Sequence, residues 1–478
     1  MKNPGLFTGI SNGGGVPLLR DLKGIKKIHF VGIGGAGMSP LAKILVELGY
    51  EVSGSDRGAS HITEHLKELG ATVYLGQDGE HVRGTDAIVV SSAIPFDNPE
   101  VLAAGQLGIP KLHRSDINAA WVNEYKGIAV AGSHGKTTTT SMIGVALDRA
   151  GISPTIIVGG EVGDLGTNAK LGKSDYLVSE ADESDGSFLK LKPHIAVVTN
   201  VENDHMDHYG TMDNIRAAFK QFIENVDREK GYAVLCYESE ELRKIAEGVD
   251  RKIYSYGIDA PADYRAANIG AEGSGISFDV MHGGENLGHV ALNIPGRHNV
   301  LDAMAAIVTG ISIGLTPEQM AKGLAAFHGA KRRFQTKGRE KGIWVVDDYA
   351  HHPTEIRTTL EAARQTNPKR LICVFQPHRY SRTKLLQKEF GQAFRPADIL
   401  VLTDIYGAGE TPIEGIHGET VLEEVVEQTG QKVTYIKERE HLAEYLSSIL
   451  EEGDLVMTMG AGDIYKTGEE LVELLKRS

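Results

Sequence analysis

Five short stretches hold most of the residues in this chain that can do chemistry: AGSHGKTTTT at 131–140, EADESD at 180–185, NVENDHMD at 200–207, DDYAHHP at 347–353 and QPHRY at 376–380. In the first, Lys136 and Thr137 follow a glycine turn directly. Backbone N–H groups freed at such a turn, with the positive end of a helix dipole, cradle phosphate oxygens. Lys136 then reaches the β- and γ-phosphates and the Thr137 hydroxyl can ligate Mg²⁺. Gly132, Ser133, His134, Gly135 and Thr138 complete the expected ATP loop. The strict phosphate-loop pattern opens on glycine where this chain has Val130, so the pattern fails while the mechanism survives.

The acidic and histidine stretches suit metal and substrate. Glu180 offers a carboxylate for Mg²⁺ beside Thr137, and His205 an imidazole for a second divalent ion, with Mn²⁺ as the alternative metal. Tyr349, His351, His378 and Arg379 form a polar group suited to a small substrate, in which either His351 or His378 can orient an amine or take its proton. One arginine of the cationic hinge GAKRRF can reach a transferring phosphate.

These side chains need elements to hold them. Residues 128–130 read as a buried strand and 142–150 as helix, which frames the phosphate loop. Strands at 155–158, 176–179 and 195–199 alternate with helices, so a parallel sheet brings Thr137, Glu180 and His205 to one edge. Upstream, a strand at 28–31 runs into GIGGAG at 32–37, Ser39 is placed to cap the next helix with Pro40 behind it, and a second strand delivers Asp56. Gly32, Gly34, Gly35, Ala36, Gly37, Met38 and Ser39 form a diphosphate turn, and Ser91 and Ser92 end a later strand of that sheet. Residues 264–295 lose helical period and read as a small antiparallel appendage, after which Asn299 opens a helix. Strands at 343–346, 371–375, 399–402, 433–436 and 455–459 restart the alternation. The expected fold is α/β with three domains, each on a mostly parallel sheet: Rossmann-like at 26–124, phosphate-loop ATPase-like with the appendage at 125–334, and Rossmann-like at 335–478, after a flexible extension over 1–25.

Composition narrows the partners. With 50 basic and 64 acidic residues the chain carries a formal charge of −14 and shows no basic stripe, which argues against nucleic acid. Two distant cysteines fit a reducing compartment, and neither a membrane span nor a signal-peptide core is legible, so a cytoplasmic protein without membrane insertion is expected, as monomer or weak homodimer. The first glycine motif alone would also suit a dehydrogenase, but that leaves GSHGKT and the acidic cluster unexplained. A phosphate-loop regulator would leave the histidines without a role. A diphosphate reader, a MgATP loop and a polar small-molecule pocket together fit a ligase that activates a carboxylate as an acyl phosphate for attack by an amine.

VGIGGAGMS, AGSHGKTTTT, SEADESDGSF, TNVENDHMDHYG, GRHNVLDAMAA, GAKRRFQ, DDYAHHPTE and FQPHRYSRT, in this order, closely resemble the Mur ligases of peptidoglycan synthesis, over nearly the whole chain from about residue 26. The resemblance is nearest to members that use ATP to join L-alanine to the lactyl carboxylate of UDP-N-acetylmuramate. It implies that Lys136 is the phosphate lysine, that Thr137 and Glu180 ligate the first Mg²⁺ and His205 the second. Asn299 would sit at adenine, Arg333 near the γ-phosphate and Asp348 at the ribose. Tyr349, His351, His378 and Arg379 would bind the amino acid, and Asn168, Asn200 and Glu202 the muramoyl end. Three positions depart from the family pattern: Ser133 replaces threonine, Asp302 replaces asparagine in the adenine motif, and Gln77 replaces a histidine; Phe219 and Lys220 straddle the place where several members carry a carbamylated lysine, which is not assigned here. Related amide ligases, including folylpolyglutamate, cyanophycin and preformed-peptide ligases, remain the nearest alternatives.

Overall fold

A computed structural model of the chain describes residues 25–477; the expected N-terminal extension lies, but for Ile25, outside them. Three sheets carry the helices. The first is β1 (Lys27–Val31), β2 (Glu51–Asp56), β3 (Thr72–Leu75), β4 (Ala87–Val90) and β5 (Lys111–His113), in the spatial order 3-2-1-4-5. All four of its pairings are parallel, and the order reverses between β1 and β4, the place where doubly wound sheets open a ligand crevice.

The second sheet has ten strands: β6 (Lys126–Ala131), β7 (Thr155–Val162), β8 (Thr167–Lys170), β9 (Tyr176–Glu180), β10 (Ile195–Val198), β11 (Tyr232–Cys236), β12 (Ile253–Gly257), β13 (Tyr264–Glu272), β14 (Gly275–His282) and β15 (Glu285–Leu292). Their order is 15-14-13-12-11-10-6-9-7-8, with β6 paired in parallel to both β9 and β10. The phosphate turn, the acidic run and the histidine run therefore leave neighbouring strands at one edge. The segment expected as an appendage lies within this sheet, where β13 pairs in parallel with β12 and continues it. Strand β8 runs antiparallel to β7.

The third sheet is β16 (Gln335–Glu340), β17 (Ile343–Asp348), β18 (Arg370–Phe375), β19 (Ile399–Leu402), β20 (Val433–Tyr435) and β21 (Asp454–Met459), ordered 16-17-21-18-19-20. Only β16 is antiparallel. Its core has two faces: Val346, Leu371, Cys373 and Phe375 pack on one side, and Val345, Ile372 and Val374 on the other. Alternation along β17 and β18 thus buries both faces, which is why these strands read as continuous apolar runs. The α/β architecture with three mostly parallel sheets agrees with the sequence reading.

The chain forms two compact units. One comprises the described residues up to Ala267 with 279–290 and 301–327; the other comprises 268–278, 291–300 and 328 onward.

Candidate active site

The phosphate turn is braced from the loop after β10. His134 N–H donates to Asn200 Oδ1 at 2.8 Å, Asn200 Nδ2 donates to His134 O at 3.0 Å, and the Thr199 hydroxyl donates to the same carbonyl at 2.6 Å. The Ser133 hydroxyl accepts from Glu202 N–H at 2.8 Å. Gly132 sits at φ +141°, where an added Cβ would lie 2.0 Å from Thr199 Oγ1. Glycine is therefore required twice over, by backbone and by space. Gly135 precedes the helix Lys136–Arg149 and no side chain caps it, so the first-turn N–H groups stay available to an anion. Thr138 is buried in that first turn.

Lys136 is turned back on its own loop, donating to Gly132 O at 2.5 Å, Ser133 O at 3.3 Å and Glu183 Oε1 at 2.7 Å. Burial opposes the charge on this ammonium, yet Glu183 and the neighbouring carboxylates raise it above the usual lysine range. His205 Nε2 lies 3.6 Å from Glu183 Oε1. Burial alone would lower this imidazole, but Glu183 and Asp204 outweigh it and raise it. Glu180 Oε1 accepts from Gly159 N–H at 2.8 Å and the Thr137 methyl lies beside Gly160, so both side chains lie against the same two glycines of β7. A hydroxyl and a carboxylate there suit a hard cation, and the imidazole tolerates a softer one such as manganese. Glu183, which sequence reasoning did not separate from its acidic neighbours, is the side chain that joins Lys136 to His205. Lys220 faces Glu224 at 3.7 Å, and Phe219 packs on Phe188 with ring centroids 5.3 Å apart.

In the first sheet, Gly32 N–H and Ile33 N–H both donate to Ser55 O, and Asp56 accepts from Gly34 N–H at 2.9 Å. The glycine turn is thereby closed on the end of β2. Ser39 is not the cap expected of it: Met38 takes that place without a side-chain bond, and the Ser39 hydroxyl accepts from Asn168 Nδ2 at 2.8 Å instead. Ser92, just beyond β4 with Ser91, donates to Asp185 at 2.5 Å. Arg114 pairs with Asp182 and lies against Gly37, where a Cβ would come within 2.8 Å of Nη1. Burial would raise the Asp182 carboxyl; Arg114 and Ser184 hold it down to about 2. Gln77 accepts from Asn98 Nδ2 at 2.7 Å, which helps fix the cap of the helix Pro99–Leu107. Ser39 thus joins the turn after β1 to β8 through Asn168, and Ser92 joins the end of β4 to the run after β9 through Asp185.

The second unit gathers the remaining residues. Asp348 accepts from Phe334 N–H at 2.7 Å and Ala350 N–H at 2.8 Å, and burial pushes its carboxyl up to about 6 against the opposing pull of Arg333. The Arg333 guanidinium stands 5.3 Å from the Tyr349 ring centre. Arg332 is not part of a free cationic tip, because it bonds Asp347 at 2.9 Å and the carbonyls of Gly460 and Gly462. Asn299 is buried with its amide tied to Pro295 O at 2.6 Å. Its neighbour His298, which the sequence offers beside it as a cap or an adenine contact, has a buried Nδ1 with no hydrogen-bond partner among the described residues, and burial lowers the ring to about 4.

Two histidines of this unit hold opposite tautomers. His351 Nδ1 lies 3.0 Å from Tyr349 O, and a carbonyl only accepts, so Nδ1 carries the proton and Nε2 is an acceptor. His378 Nδ1 lies 3.1 Å from Arg382 Nη1, and a guanidinium only donates, so Nδ1 accepts and Nε2 carries the proton. Burial lowers His351 to about 4; burial, then His351 and the arginines, lower His378 to about 3. Their ring centres are 6.0 Å apart. Arg379, exposed at φ +70°, follows His378, and its N–H bonds Tyr406 O at 2.9 Å.

Residues 27–126 match the model described as Mur ligase family, catalytic domain; 130–310 match the Mur ligase middle domain; and 332–462 match the Mur ligase, glutamate ligase domain. A UDP-N-acetylmuramate--L-alanine ligase of Pelotomaculum thermopropionicum is 48% identical over 454 residues, 95% of this chain and 98% of the relative. The chain belongs to the Mur ligase family. A second relative of the same name, from Desulforamulus reducens, is 48% identical over 94% of this chain and 98% of its own. Among solved structures, the UDP-N-acetylmuramate-alanine ligase of Thermotoga maritima superposes with a TM-score of 0.81 at 29% identity, covering 94% of this chain and 99% of that one. A murein peptide ligase from Psychrobacter arcticus gives 0.71 at 25% identity over 95% and 99%. This Mur ligase has, among the described residues, no helix long and apolar enough to cross a membrane.

Proposed function

We propose that this chain is the ATP-dependent ligase that joins L-alanine to the lactyl carboxylate of UDP-N-acetylmuramate, giving ADP and phosphate, in the cytoplasmic synthesis of peptidoglycan precursor. One observation carries the reading: relatives bearing that activity's name are 48% identical over nearly the full length of both chains. The carboxylate attacks the γ-phosphorus to form an acyl phosphate, the alanine amine attacks that carbonyl, and phosphate leaves with the carboxylate oxygen. Lys136 and the helix start behind it bind the triphosphate, and the glycine turn after β1, with Asp56, Ser39 and Ser92, receives the nucleotide sugar, as do Asn168, Asn200 and Glu202. Thr137 and Glu180 would hold one Mg²⁺ and His205 a second divalent ion, which would supply charge neutralisation for phosphoryl transfer. Arg333 and Asp348 keep the phosphate and ribose roles that the family resemblance implies, and Asn299 the adenine one. Tyr349 and Arg379 bind the amino acid.

The tautomers divide the work between the histidines. His351, with Nε2 an acceptor, takes an N–H of the alanine amine. His378, with Nε2 protonated, donates to its carboxylate. The test is phosphate release from MgATP in the presence of UDP-N-acetylmuramate, with L-alanine, glycine, L-serine or a tripeptide as the amine. Release that needs both the sugar nucleotide and L-alanine supports the reading; release with the tripeptide alone makes the chain a peptide ligase like the Psychrobacter arcticus protein.

A further inference from the structure

Glu183 is more than a partner for Lys136. The residue is 2% exposed, and while Oε1 accepts from the lysine at 2.7 Å, Oε2 is buried with no hydrogen-bond partner among the described residues. On its other flank stands His205, Nε2 at 3.6 Å from Oε1, held at φ +55°, a backbone conformation that residues other than glycine seldom adopt. The Tyr209 hydroxyl donates to Glu183 O at 2.5 Å and fixes the backbone beneath the carboxylate. A structural ion pair would use both oxygens or leave the spare one in water. Here the spare oxygen is kept dry in a carboxylate flanked by an imidazole.

Lys136 has no donor to spare either, since its three N–H bonds go to Gly132 O, Ser133 O and Glu183. A triphosphate that takes this ammonium must displace one of these acceptors, and Glu183 is the one whose charge repels the incoming anion. That step leaves a buried carboxylate without a cation beside an incoming anion, an arrangement that needs a new positive charge.

We infer that Glu183 changes partners when nucleotide binds: it holds Lys136 while the loop is empty, and once the triphosphate takes the lysine it joins His205 as a ligand of the second divalent cation. One ammonium leaves the carboxylate and one dication replaces it, with no covalent change. Triphosphate capture and occupancy of the second ion site are thereby linked, because each makes the other more favourable. The inference rests on the reading of the 132–137 turn as the ATP site.

The test uses the full-length chain and two binding measurements without turnover. Metal-free ATP is titrated in the presence of EDTA, and Mn²⁺ bound in the presence of a non-hydrolysable ATP analogue is counted by electron paramagnetic resonance. Glu183→Gln removes the buried charge while keeping the shape. It is expected to bind metal-free ATP about tenfold more tightly, because the lysine is released and the like charge is gone, and to hold its second Mn²⁺ at least about tenfold more weakly. Glu183→Asp keeps the wild-type order of both, and His205→Asn weakens the second Mn²⁺ while leaving metal-free ATP at the wild-type value. If Glu183→Gln weakens metal-free ATP, Glu183 merely positions the lysine and the inference is overturned; unchanged Mn²⁺ binding overturns it equally. A wild-type chain that binds neither ATP nor the analogue refutes the nucleotide-site reading itself, and the inference with it.

Discussion

Asp348→Asn should make the protein more stable as the pH rises, relative to wild type. The Asp348 carboxyl is buried, and burial moves it from 3.8 to about 6. Its pKa is higher folded than unfolded, so the stability it contributes is fully present below 3.8 and is lost as the pH climbs through about 6. A displacement of roughly two units at about 1.4 kcal/mol each amounts to ~3 kcal/mol of stability lost by wild type between the two values. Asparagine has no charge to bury and loses none of this. It does replace one acceptor oxygen with an NH₂ group facing an N–H donor, either Phe334 or Ala350, at a pH-independent cost of about 1–3 kcal/mol. The sum is a variant near or below wild type in stability at acid pH that overtakes it at neutral pH. Urea melts of both proteins at half-unit steps from pH 4.5 to 8 read the difference, with unchanged m-values confirming a common transition. A gap that stays flat with pH, or that moves against the variant as pH rises, refutes the argument that a buried ionised carboxylate is being kept here at the expense of stability.

Further outcomes follow from the same contacts. Gly132→Ala forces a side chain onto Thr199 Oγ1 at φ +141°; a loss of about 2–4 kcal/mol in thermal unfolding is expected, together with loss of nucleotide binding. Arg114→Met removes the guanidinium that holds Asp182 at about 2, a shift that depresses the carboxyl, so the wild-type advantage is present above 3.8 and disappears as the pH falls through about 2. Asp182 is about a third exposed, and screening reduces that advantage to about 1 kcal/mol, measurable as a difference between melts at neutral pH and near pH 2. Nitrogen-15 shifts of histidine-labelled protein should show His351 protonated at Nδ1 and His378 at Nε2, both neutral down to pH 5. An imidazolium signal from either ring at pH 6 would remove the basis for dividing the amino-acid contacts between them.

Much of this was legible because the chemistry is local. A strand, a glycine turn and a lysine at the helix start determine the phosphate loop within ten residues, and β19 appears at 399–402 just as its apolar run suggests. What escaped depends on distant partners. The Ser39 hydroxyl has the type and position of a helix cap, but Asn168 lies within reach across 129 positions of sequence and takes it. The run Glu180 to Asp185 announces acidity without saying which carboxylate turns inward; burial of Glu183 against Lys136 is a tertiary fact. Strand β16, QTKGRE, has no apolar alternation to reveal it and forms as an edge because β17 offers it a ladder and Gly338 lets Val472 approach. Arg332 reads as a surface cation, yet Asp347 and two carbonyls beyond β21 are placed around it by the fold.

The most direct test of the central claim follows an oxygen atom. UDP-N-acetylmuramate labelled with ¹⁸O in its lactyl carboxylate is incubated with the chain, MgATP and L-alanine, and the phosphate is analysed by mass spectrometry or by its phosphorus-31 isotope shift. Attack of that carboxylate on the γ-phosphorus predicts one labelled oxygen in the phosphate for each amide formed. Amide formed with unlabelled phosphate would contradict the acyl-phosphate route, and phosphate released without amide would contradict the ligase.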